Sequence, residues 1–298
     1  MDEKDWLIIK TLYEKKSISK AAELLYISQP ALTYRIQNIE KQFGAQMVSR
    51  GKKGVEFTPQ GESMVEYAEK MLLELRKTKE MVQNMNDQVR GTLRLGVSSN
   101  FARYRLPILL KQFLEIYPEI EIHVKTGWSS EVVNFLYRDE VHIGIVRGEN
   151  NWHEQIHLLY EEPLCIASTN PIHLQDLPNL PRINYKTDSH LKDSIYKWWQ
   201  AHYNQPPLIT MEVDRIDTCV ELVKHGMGYA IIPGIILSDR DSLHTINLHS
   251  SDNKPILRKT WMINRDITLE LSVVKAFVDF IKKESCHVLG DASEHPIE

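Results

Sequence analysis

Residues suited to binding a small anion recur where strand-like stretches give way to helix-like ones. Such boundaries place small polar side chains at the first turn of a helix, where unpaired backbone N–H groups and the helix dipole favour negative charge. Two arginines stand beside strands, and bidentate guanidinium pairing suits a ligand with several carboxylates. The predicted ligand-binding residues are Ser98, Ser99, Asn100, Thr126, Ser129, Arg147, Thr218 and Arg258.

The alternative explanation for these residues is structural. Ser98 and Ser99 would then only cap a helix, and the arginines, with the weaker candidates Arg103 and Arg105, would form ordinary surface ion pairs. Each residue taken singly fits this alternative at least as well as a ligand contact. Their clustering at strand ends favours a shared site.

One stretch has the spacing of a zinc protease. His153-Glu-Gln-Ile-His157 matches the pattern in which two histidines on one helix face hold the metal and the glutamate acts as the base. The following Leu158-Leu-Tyr160 is extended in character, no third ligand stands in place, and no Gly-x-Ser-x-Gly or phosphate-loop motif is present. We therefore expect a protein that is not an enzyme, with no catalytic residue, assigned metal site or cofactor. Whether a metal assists ligand binding stays open.

The composition is that of a globular protein with more than one domain. The chain has 298 residues, 42% of them hydrophobic, which is enough for real cores. Its three cysteines are far apart and lack metal-ligand spacing, which indicates structural thiols in a reducing compartment. The first residues lack the pattern of a secretory signal, and the longest apolar stretch, 229–237, contains Pro233 and Gly234. We expect a cytoplasmic protein without a membrane partner.

Charge is divided unevenly along the chain. The formal net charge is −4, yet residues 1–60 carry ten Lys or Arg against seven Asp or Glu, so that segment is +3 and the remainder is −7. An electrostatic footprint for nucleic acid is local. The N-terminal segment is therefore where DNA binding is expected.

Residues 1–60 have the pattern of a winged helix-turn-helix. Short helices at 6–14 and 20–25, the second capped by Ser19, precede a third helix that Ser28 caps and Gly44 ends. Its predicted buried stripe comprises Leu32, Ile36, Ile39 and Phe43. A basic turn at 49–54 suits a wing on flanking phosphates. A three-helix packing domain with a solvated charged loop is the alternative. The predicted DNA-binding residues are Ser28, Gln29, Pro30, Thr33, Arg35, Arg50, Lys52 and Lys53.

A linker helix is predicted at 58–90, because neither Pro nor Gly occurs between position 61 and Val89. Small and apolar residues alternate at spacings of four and three, which is a coiled-coil seam. The seam comprises Met64, Ala68, Met71, Leu75, Thr78, Val82, Met85 and Val89. The alternative is a helix packed on its own domain, but about 30 residues span roughly 45 Å, too far for a small winged domain to cover. We expect a homodimer through 58–89 that presents two recognition helices to a double-stranded, partly palindromic operator.

Residues 91–284 alternate strand and helix patterns of the βαβ type, which predicts an α/β effector domain of two lobes. Lobe I is expected at 91–163 and 259–284, and lobe II at 164–258. Ligands of such sheets bind at the carboxyl ends of the strands. Residues 285–298 are expected to form a frayed tail.

The N-terminal segment resembles the helix-turn-helix signature of LysR-type transcriptional regulators. The resemblance rests on SKAAELLYISQPALTYRIQNIEK at 19–41 and FTPQG at 57–61, and it continues to GMGYAIIP at 226–233, covering almost all of 1–284. It implies a type II periplasmic-binding-protein-like effector domain with its ligand between the lobes, and a homotetramer. It also implies that Gln29, Pro30, Thr33 and Arg35 face DNA. Tyr34 departs from the pattern, because many relatives have a smaller or charged residue there.

Four motifs resemble those of citrate-responsive catabolite control regulators of Gram-positive bacteria. They are TGWSSE at 126–131, VHIGIVRG at 141–148, IDTC at 216–219 and HGMGYAIIP at 225–233. This resemblance implies citrate sensing and control of carbon metabolism through tricarboxylic-acid-cycle genes such as those for citrate synthase and aconitase. It places Ser98, Asn100 through its backbone, Arg147 and Arg258 on the ligand. We expect a repressor, although no motif determines the sign of regulation.

Two other functions stay open. A LysR-type regulator could sense a different small anion, such as an amino acid or a sulfur metabolite. A two-lobed solute-binding protein would use the same fold, but the missing signal pattern and the basic N-terminal segment count against it.

Overall fold

The computed structural model describes residues 1–51, 54–83, 89–237 and 242–291. Contacts within the chain divide it into two compact units, Met1–Met85 and Asn86–Glu298. The long helix predicted as a linker therefore belongs to the N-terminal unit over most of its length.

The N-terminal unit consists of helices followed by a two-stranded wing and a long helix. Its elements are α1 (Glu3–Lys15), α2 (Ile18–Leu24), α3 (Gln29–Phe43), β1 (Val48–Gly51), β2 (Gly54–Phe57) and α4 (Pro59–Gln83). The wing strands are antiparallel. The side chain of Ser17, and not the expected Ser19, caps α2 by accepting a hydrogen bond from the Lys20 backbone N–H at 3.4 Å.

Most of the predicted stripe on α3 is buried. Leu32 and Ile36 pack with α1 and α2 residues, and Ile39 packs in a second cluster with Met47. Phe43 was expected in the stripe, but it is 48% exposed. It is the last residue of α3, and Gly44, with φ +62°, turns the chain away immediately after it.

The beginning of the predicted dimer seam on α4 is used inside the N-terminal unit. Met64 and Ala68 are buried in a cluster with Ile9. Near the other end of α4, Lys79 lies 3.0 Å from Glu3, since α1 runs alongside α4. The expectation that a winged domain is too small to cover this helix was wrong for these residues. Further along α4, Val82 is exposed.

The start of α4 approaches the wing closely. A Cβ at Gly61 would lie 2.1 Å from the carbonyl oxygen of Met47. The oxygen of the Thr58 side chain accepts a hydrogen bond from the Gly61 N–H at 3.0 Å and so caps the helix. The Thr-Pro-Gln-Gly stretch therefore joins the wing to α4.

The effector unit alternates strands and helices as predicted. Its first part contains β3 (Gly91–Ser98), α5 (Ser99–Tyr104), α6 (Leu106–Ile116), β4 (Ile120–Gly127), α7 (Ser129–Tyr137), β5 (Ile143–Arg147) and β6 (Gln155–Ser168). The remainder contains β7 (Arg182–Tyr185), α8 (Ser189–His202), β8 (Ile209–Val213), α9 (Ile216–Lys224), β9 (Ala230–Pro233), β10 (His244–Asn247), β11 (Leu257–Asn264) and α10 (Ser272–Asp291).

Strand pairing produces the predicted two-lobed α/β architecture. In the first lobe β3 lies between β4 and β5 and is parallel to both, while β11 is antiparallel to β5 and β6. The 14-residue β6 pairs with β11 up to Pro163 and with β9 and β10 beyond it. The Leu164 N–H donates to the Ile256 carbonyl at 2.8 Å. The two connections between the lobes therefore lie side by side.

In this unit the structure contradicts the zinc-protease alternative, which the sequence did not favour, and it also contradicts one local prediction. The zinc-protease spacing at 153–157 runs into β6, so its residues do not share a helix face. The frayed tail expected at 285–298 is helical at its start, where α10 continues to Asp291. Residues 292–298 lie outside the described part. Within the described ranges no cluster of three or more His, Cys, Asp or Glu is placed to hold a metal ion, and no helix is both long and apolar enough to cross a membrane.

Candidate functional site

A cleft of about 310 Å³ opens in the effector unit where four helices begin. The first lobe contributes the starts of α5 and α7, and the second lobe contributes those of α8 and α9. The cleft is lined by Ser98, Ser99, Asn100, Gly127, Trp128, Ser129, Arg147, Tyr185, Lys186, Thr187, Asp188, Leu191, Asp214, Arg215, Ile216, Asp217 and Arg258.

Most of the residues proposed from the sequence meet in this cleft. The two threonines do not line it: Thr126 and Thr218 are exposed. Thr126 lies in β4 one residue before Gly127, and successive residues of a strand point to opposite faces. Thr218 follows Asp217 in the first turn of α9, and of these two only Asp217 reaches the cleft.

Arg147 is the deepest cation of the cleft. It is 4% exposed, and its guanidinium pairs with the carboxylate of Glu162, which is 1% exposed. The hydroxyl of Ser129 accepts the Arg147 backbone N–H at 2.9 Å and donates to the Arg147 carbonyl at 3.1 Å. Burial, together with the neighbouring charge of Arg258, lowers the pKa of Arg147 to about 9. The side chain therefore stays cationic at neutral pH.

Arg258 also pairs with a carboxylate side chain. Its guanidinium pairs with Asp188, which also caps α8 by accepting the Leu191 N–H at 3.0 Å. Burial opposes the charge of Asp188, but the charge and hydrogen bond of Arg258 outweigh it and lower the pKa of the carboxyl. Both predicted arginines are thus paired inside the protein. These two pairs are buried or partly buried, unlike the surface pairs of the structural alternative.

Several buried polar atoms of the cleft have no hydrogen-bond partner among the described residues. They are Ser98 Oγ, Arg147 Nε and Arg258 Nε, and Oε2 of Glu162, which pairs with Arg147 behind the cleft lining, is unpartnered as well. Buried polar groups are rarely left unpaired in folded proteins. These atoms therefore provide donors and acceptors for a polar ligand or ordered water.

The carboxylates of the cleft were not among the predicted ligand-binding residues. Asp188, Asp214 and Asp217 line it alongside the cations Arg147, Lys186, Arg215 and Arg258. Asp188 follows β7 and caps α8, so it has the same strand-to-helix pattern that identified Ser98. A prediction that counted only the cations therefore overestimated the positive charge of the cleft.

Asp217 also joins the two lobes. Its carboxylate accepts a hydrogen bond from Arg103 at 2.5 Å and another from the Tyr104 hydroxyl at 3.0 Å, so it connects the start of α9 with α5. Arg105, the other weak candidate, donates to the Tyr160 hydroxyl at 2.8 Å. Neither arginine lines the cleft.

The predicted DNA-binding residues of α3 lie at its N-terminal end. Ser28 caps the helix, with its hydroxyl oxygen 3.4 Å from the Ala31 N–H, and Gln29 and Pro30 are exposed. Thr33 is half-buried. Arg35 is held by Asp2 at 3.1 Å and by Asp5 at 2.7 Å.

The remaining predicted DNA-binding residues belong to the wing. Arg50 lies in β1, with its side chain outside the described part of the structure. Lys52 and Lys53 lie outside the described residues altogether. Tyr34, which departs from the family pattern, is 66% exposed, one turn after Pro30.

Two family descriptions match the two units. Residues 4–62 match "Bacterial regulatory helix-turn-helix protein, lysR family", and residues 86–285 match "LysR substrate binding domain". YraN, an uncharacterized HTH-type transcriptional regulator of Bacillus subtilis (strain 168), is 46% identical over 284 residues, which are 95% of this chain and 98% of that protein. YkuM, another uncharacterized regulator of this type from the same organism, is 37% identical over 92% of this chain and 94% of its own length.

Solved structures have the same fold. Full-length CbnR complexed with its target DNA superimposes with a TM-score of 0.69 at 18% identity, over 95% of this chain and 99% of that one. The full-length Vibrio cholerae virulence activator AphB gives a TM-score of 0.61 at 16% identity, over 95% and 99% of the two chains. The similarity extends over nearly the full length of each protein.

Proposed function

The chain belongs to the LysR family of bacterial transcriptional regulators, and on that premise we propose that a small anion in the cleft controls how a homodimer binds its operator. The observation that carries the proposal is the cleft itself. Helices of both lobes begin there. Ser98 Oγ and Arg147 Nε are buried in it and have no hydrogen-bond partner among the described residues. A ligand at this place contacts both lobes.

DNA recognition is assigned to the start of α3. Ser28, Gln29, Pro30 and Thr33 would reach base edges and phosphates in the major groove. Arg35, held by two aspartates of the first helical turn of the chain, would orient α1 against α3. Arg50, Lys52 and Lys53 would bind flanking phosphates through the wing.

The homodimer is proposed to form through the later part of α4, where Met81 and Val82 are exposed. Met64 and Ala68 serve the core of their own unit and are left out of this interface. Pairing of two dimers through their effector units would give the tetramer.

Two effector classes compete for the cleft. Citrate, with control of tricarboxylic-acid-cycle genes, is proposed from the motifs at 126–131, 141–148, 216–219 and 225–233. The carboxylates of Asp188, Asp214 and Asp217 would repel a trianion, and they favour a ligand that carries an ammonium group beside its carboxylate. An amino acid is therefore the second candidate, and the charge of the lining supports it better.

Regulation requires that the ligand bind one arrangement of the lobes better than another. We propose that the two arrangements differ in how closely the lobes approach each other around the ligand. Arg103 and Asp217 form a contact between the lobes. Closure would change the separation of the two winged heads on DNA. Footprints of equal position, length and affinity with and without a bound ligand would contradict this mechanism.

Selection from random DNA tests the DNA-binding part and yields the operator sequence at the same time. Double-stranded fragments selected from a random pool should contain a repeated half-site. Gln29→Ala should weaken binding to the selected site by about 1–3 kcal/mol. The matched control is Gln112→Ala, an exposed glutamine on α6 in the other unit. Equal affinities of the two variants would remove Gln29 from the interface.

The effector can be identified by calorimetry on the full chain. Citrate, isocitrate, succinate, glutamate and thiosulfate form the panel. Ser98→Ala should weaken binding of the true effector about tenfold, because one hydrogen bond contributes about 1.4 kcal/mol. The variant removes no hydrogen bond that the described residues make, so the fold should be unaffected. Ser130→Ala, at an exposed position on α7, is the control; equal affinities of the two variants would place the ligand elsewhere.

A further inference from the structure

A second cavity, of about 890 Å³, lies in the second lobe beside α8, β7 and β8. Its lining has Tyr185, Lys186 and Thr187 in common with the cleft, and otherwise consists of different residues. None of the residues proposed above as DNA-binding or ligand-binding lines it. The cavity is nearly three times as large as the cleft by the same measure.

A buried arginine lines this cavity. Arg182 is 9% exposed, and its Nε has no hydrogen-bond partner among the described residues. Its guanidinium lies 5.6 Å from the centre of the Trp199 ring. Arg147 and Arg258 each have a carboxylate partner, whereas Arg182 has none in the part of the chain that the structure describes. Burial also lowers the pKa of Arg182.

An unpaired guanidinium is unfavourable inside a protein, because burial removes its water and supplies no negative charge. A carboxylate entering the cavity would supply that charge in a bidentate geometry. Lys186 and Lys192 also line the cavity, against Asp193 and Glu212. With Arg182 included, the lining carries one excess positive charge, which matches a single carboxylate.

Four aromatic residues line the cavity alongside aliphatic and polar ones, and three of these aromatic side chains donate hydrogen bonds to backbone carbonyls. Trp199 Nε1 donates to the Gln205 carbonyl at 2.8 Å, Tyr203 donates to the Leu174 carbonyl at 2.7 Å, and Tyr185 donates to the Ile231 carbonyl at 3.2 Å. These rings therefore offer faces and edges, and the apolar part of a ligand can pack against them.

We propose that this cavity is a second binding site, for a small monocarboxylate with an apolar or aromatic body. The carboxylate pairs with Arg182, and the body packs against Trp199 and Tyr203. The site differs from the cleft, where both buried arginines already have carboxylate partners.

Direct binding to the full chain tests this site. Phenylacetate and hexanoate are the probes, and 2-phenylethanol is the neutral counterpart of the first. Calorimetry should show that at least one carboxylate binds and that 2-phenylethanol binds at least about tenfold more weakly. Failure of both carboxylates to bind at millimolar concentration would overturn the proposal.

Variants separate this cavity from the cleft. Arg182→Gln should weaken binding of the carboxylate at least about tenfold, and Arg182→Lys should restore part of it. Ser98→Ala, which alters the cleft, should leave it unchanged. Unchanged binding in Arg182→Gln, or loss in Ser98→Ala, would contradict the proposal.

A further variant tests the site if Arg182→Gln does not fold. Ile209 lines the cavity from β8 and is exposed, so Ile209→Trp should narrow the cavity and weaken binding while Arg182 stays in place. Retained affinity in a folded Ile209→Trp protein would count against the site. Because the Ser98→Ala variant reports on the cleft alone, the two sites can fail independently.

Discussion

Replacing Glu162 with glutamine would separate two roles of Arg147, as an ion-pair partner inside the fold and as a cation for a ligand. Glu162 is 1% exposed and Arg147 is 4% exposed. Removing one charge from a buried ion pair costs about 3–5 kcal/mol. Because glutamine keeps a carbonyl acceptor, we expect about 3 kcal/mol. At about 2–4 °C per kcal/mol for a unit of this size, the unfolding temperature should fall by about 6–12 °C.

The same substitution should strengthen anion binding. Without its internal carboxylate, Arg147 gains its counter-ion from the ligand in the cleft. A hydrogen bond to a charged group contributes about 1.5–3 kcal/mol, which corresponds to a dissociation constant about 10-fold to 100-fold lower. Stability and affinity therefore move in opposite directions.

Thermal unfolding by circular dichroism and calorimetry with the effector would measure both quantities. The control is Glu161→Gln on the same strand, since Glu161 pairs with Lys259 at 3.4 Å and both side chains are partly exposed. That variant should change stability by less than about 1 kcal/mol. If folded Glu162→Gln binds the anion no more tightly than the original protein, Arg147 is not the cation that holds it.

Three further measurements test other parts of the structure. The pKa of about 9 for buried Arg147 predicts that anion affinity measured by calorimetry stays level up to pH 8 and falls above pH 9. Above about pH 9 the unfolded chain binds more protons at this residue than the folded one does, so the residue's contribution to stability should rise with pH there. Val82→Glu should weaken the dimer, as measured by sedimentation, and should change the free energy of unfolding little. Ala68→Glu, at a fully buried position, should instead lower the stability of the N-terminal unit by more than about 3 kcal/mol. Burial raises the pKa of Cys165 and of Cys219 to about 12, so mass spectrometry should find both thiols unmodified by iodoacetamide at pH 8 while the chain is folded.

Helix and strand positions were largely predictable, because the signals that determine them are local. Ser28, Pro30 and Gly44 mark the ends of α3 within one helix, and the alternation of strands and helices in the effector unit needs only neighbouring residues. Periodicity does not reveal what covers an apolar face. Ala68 fits a coiled-coil seam equally well whether α1 of the same chain or a second copy packs against it.

The charge of the cleft was less predictable than its position, because it depends on residues brought together from distant parts of the chain. Arg147 stands at a strand end and is easy to recognise, but its partner Glu162 lies within β6 with no local signal of a site. Arg258 likewise pairs with Asp188, 70 residues away. Since both cations already have carboxylates, a ligand cannot be inferred from the number of arginines. Its affinity must depend on how far it displaces these internal partners, and the Glu162→Gln variant measures that competition for Arg147.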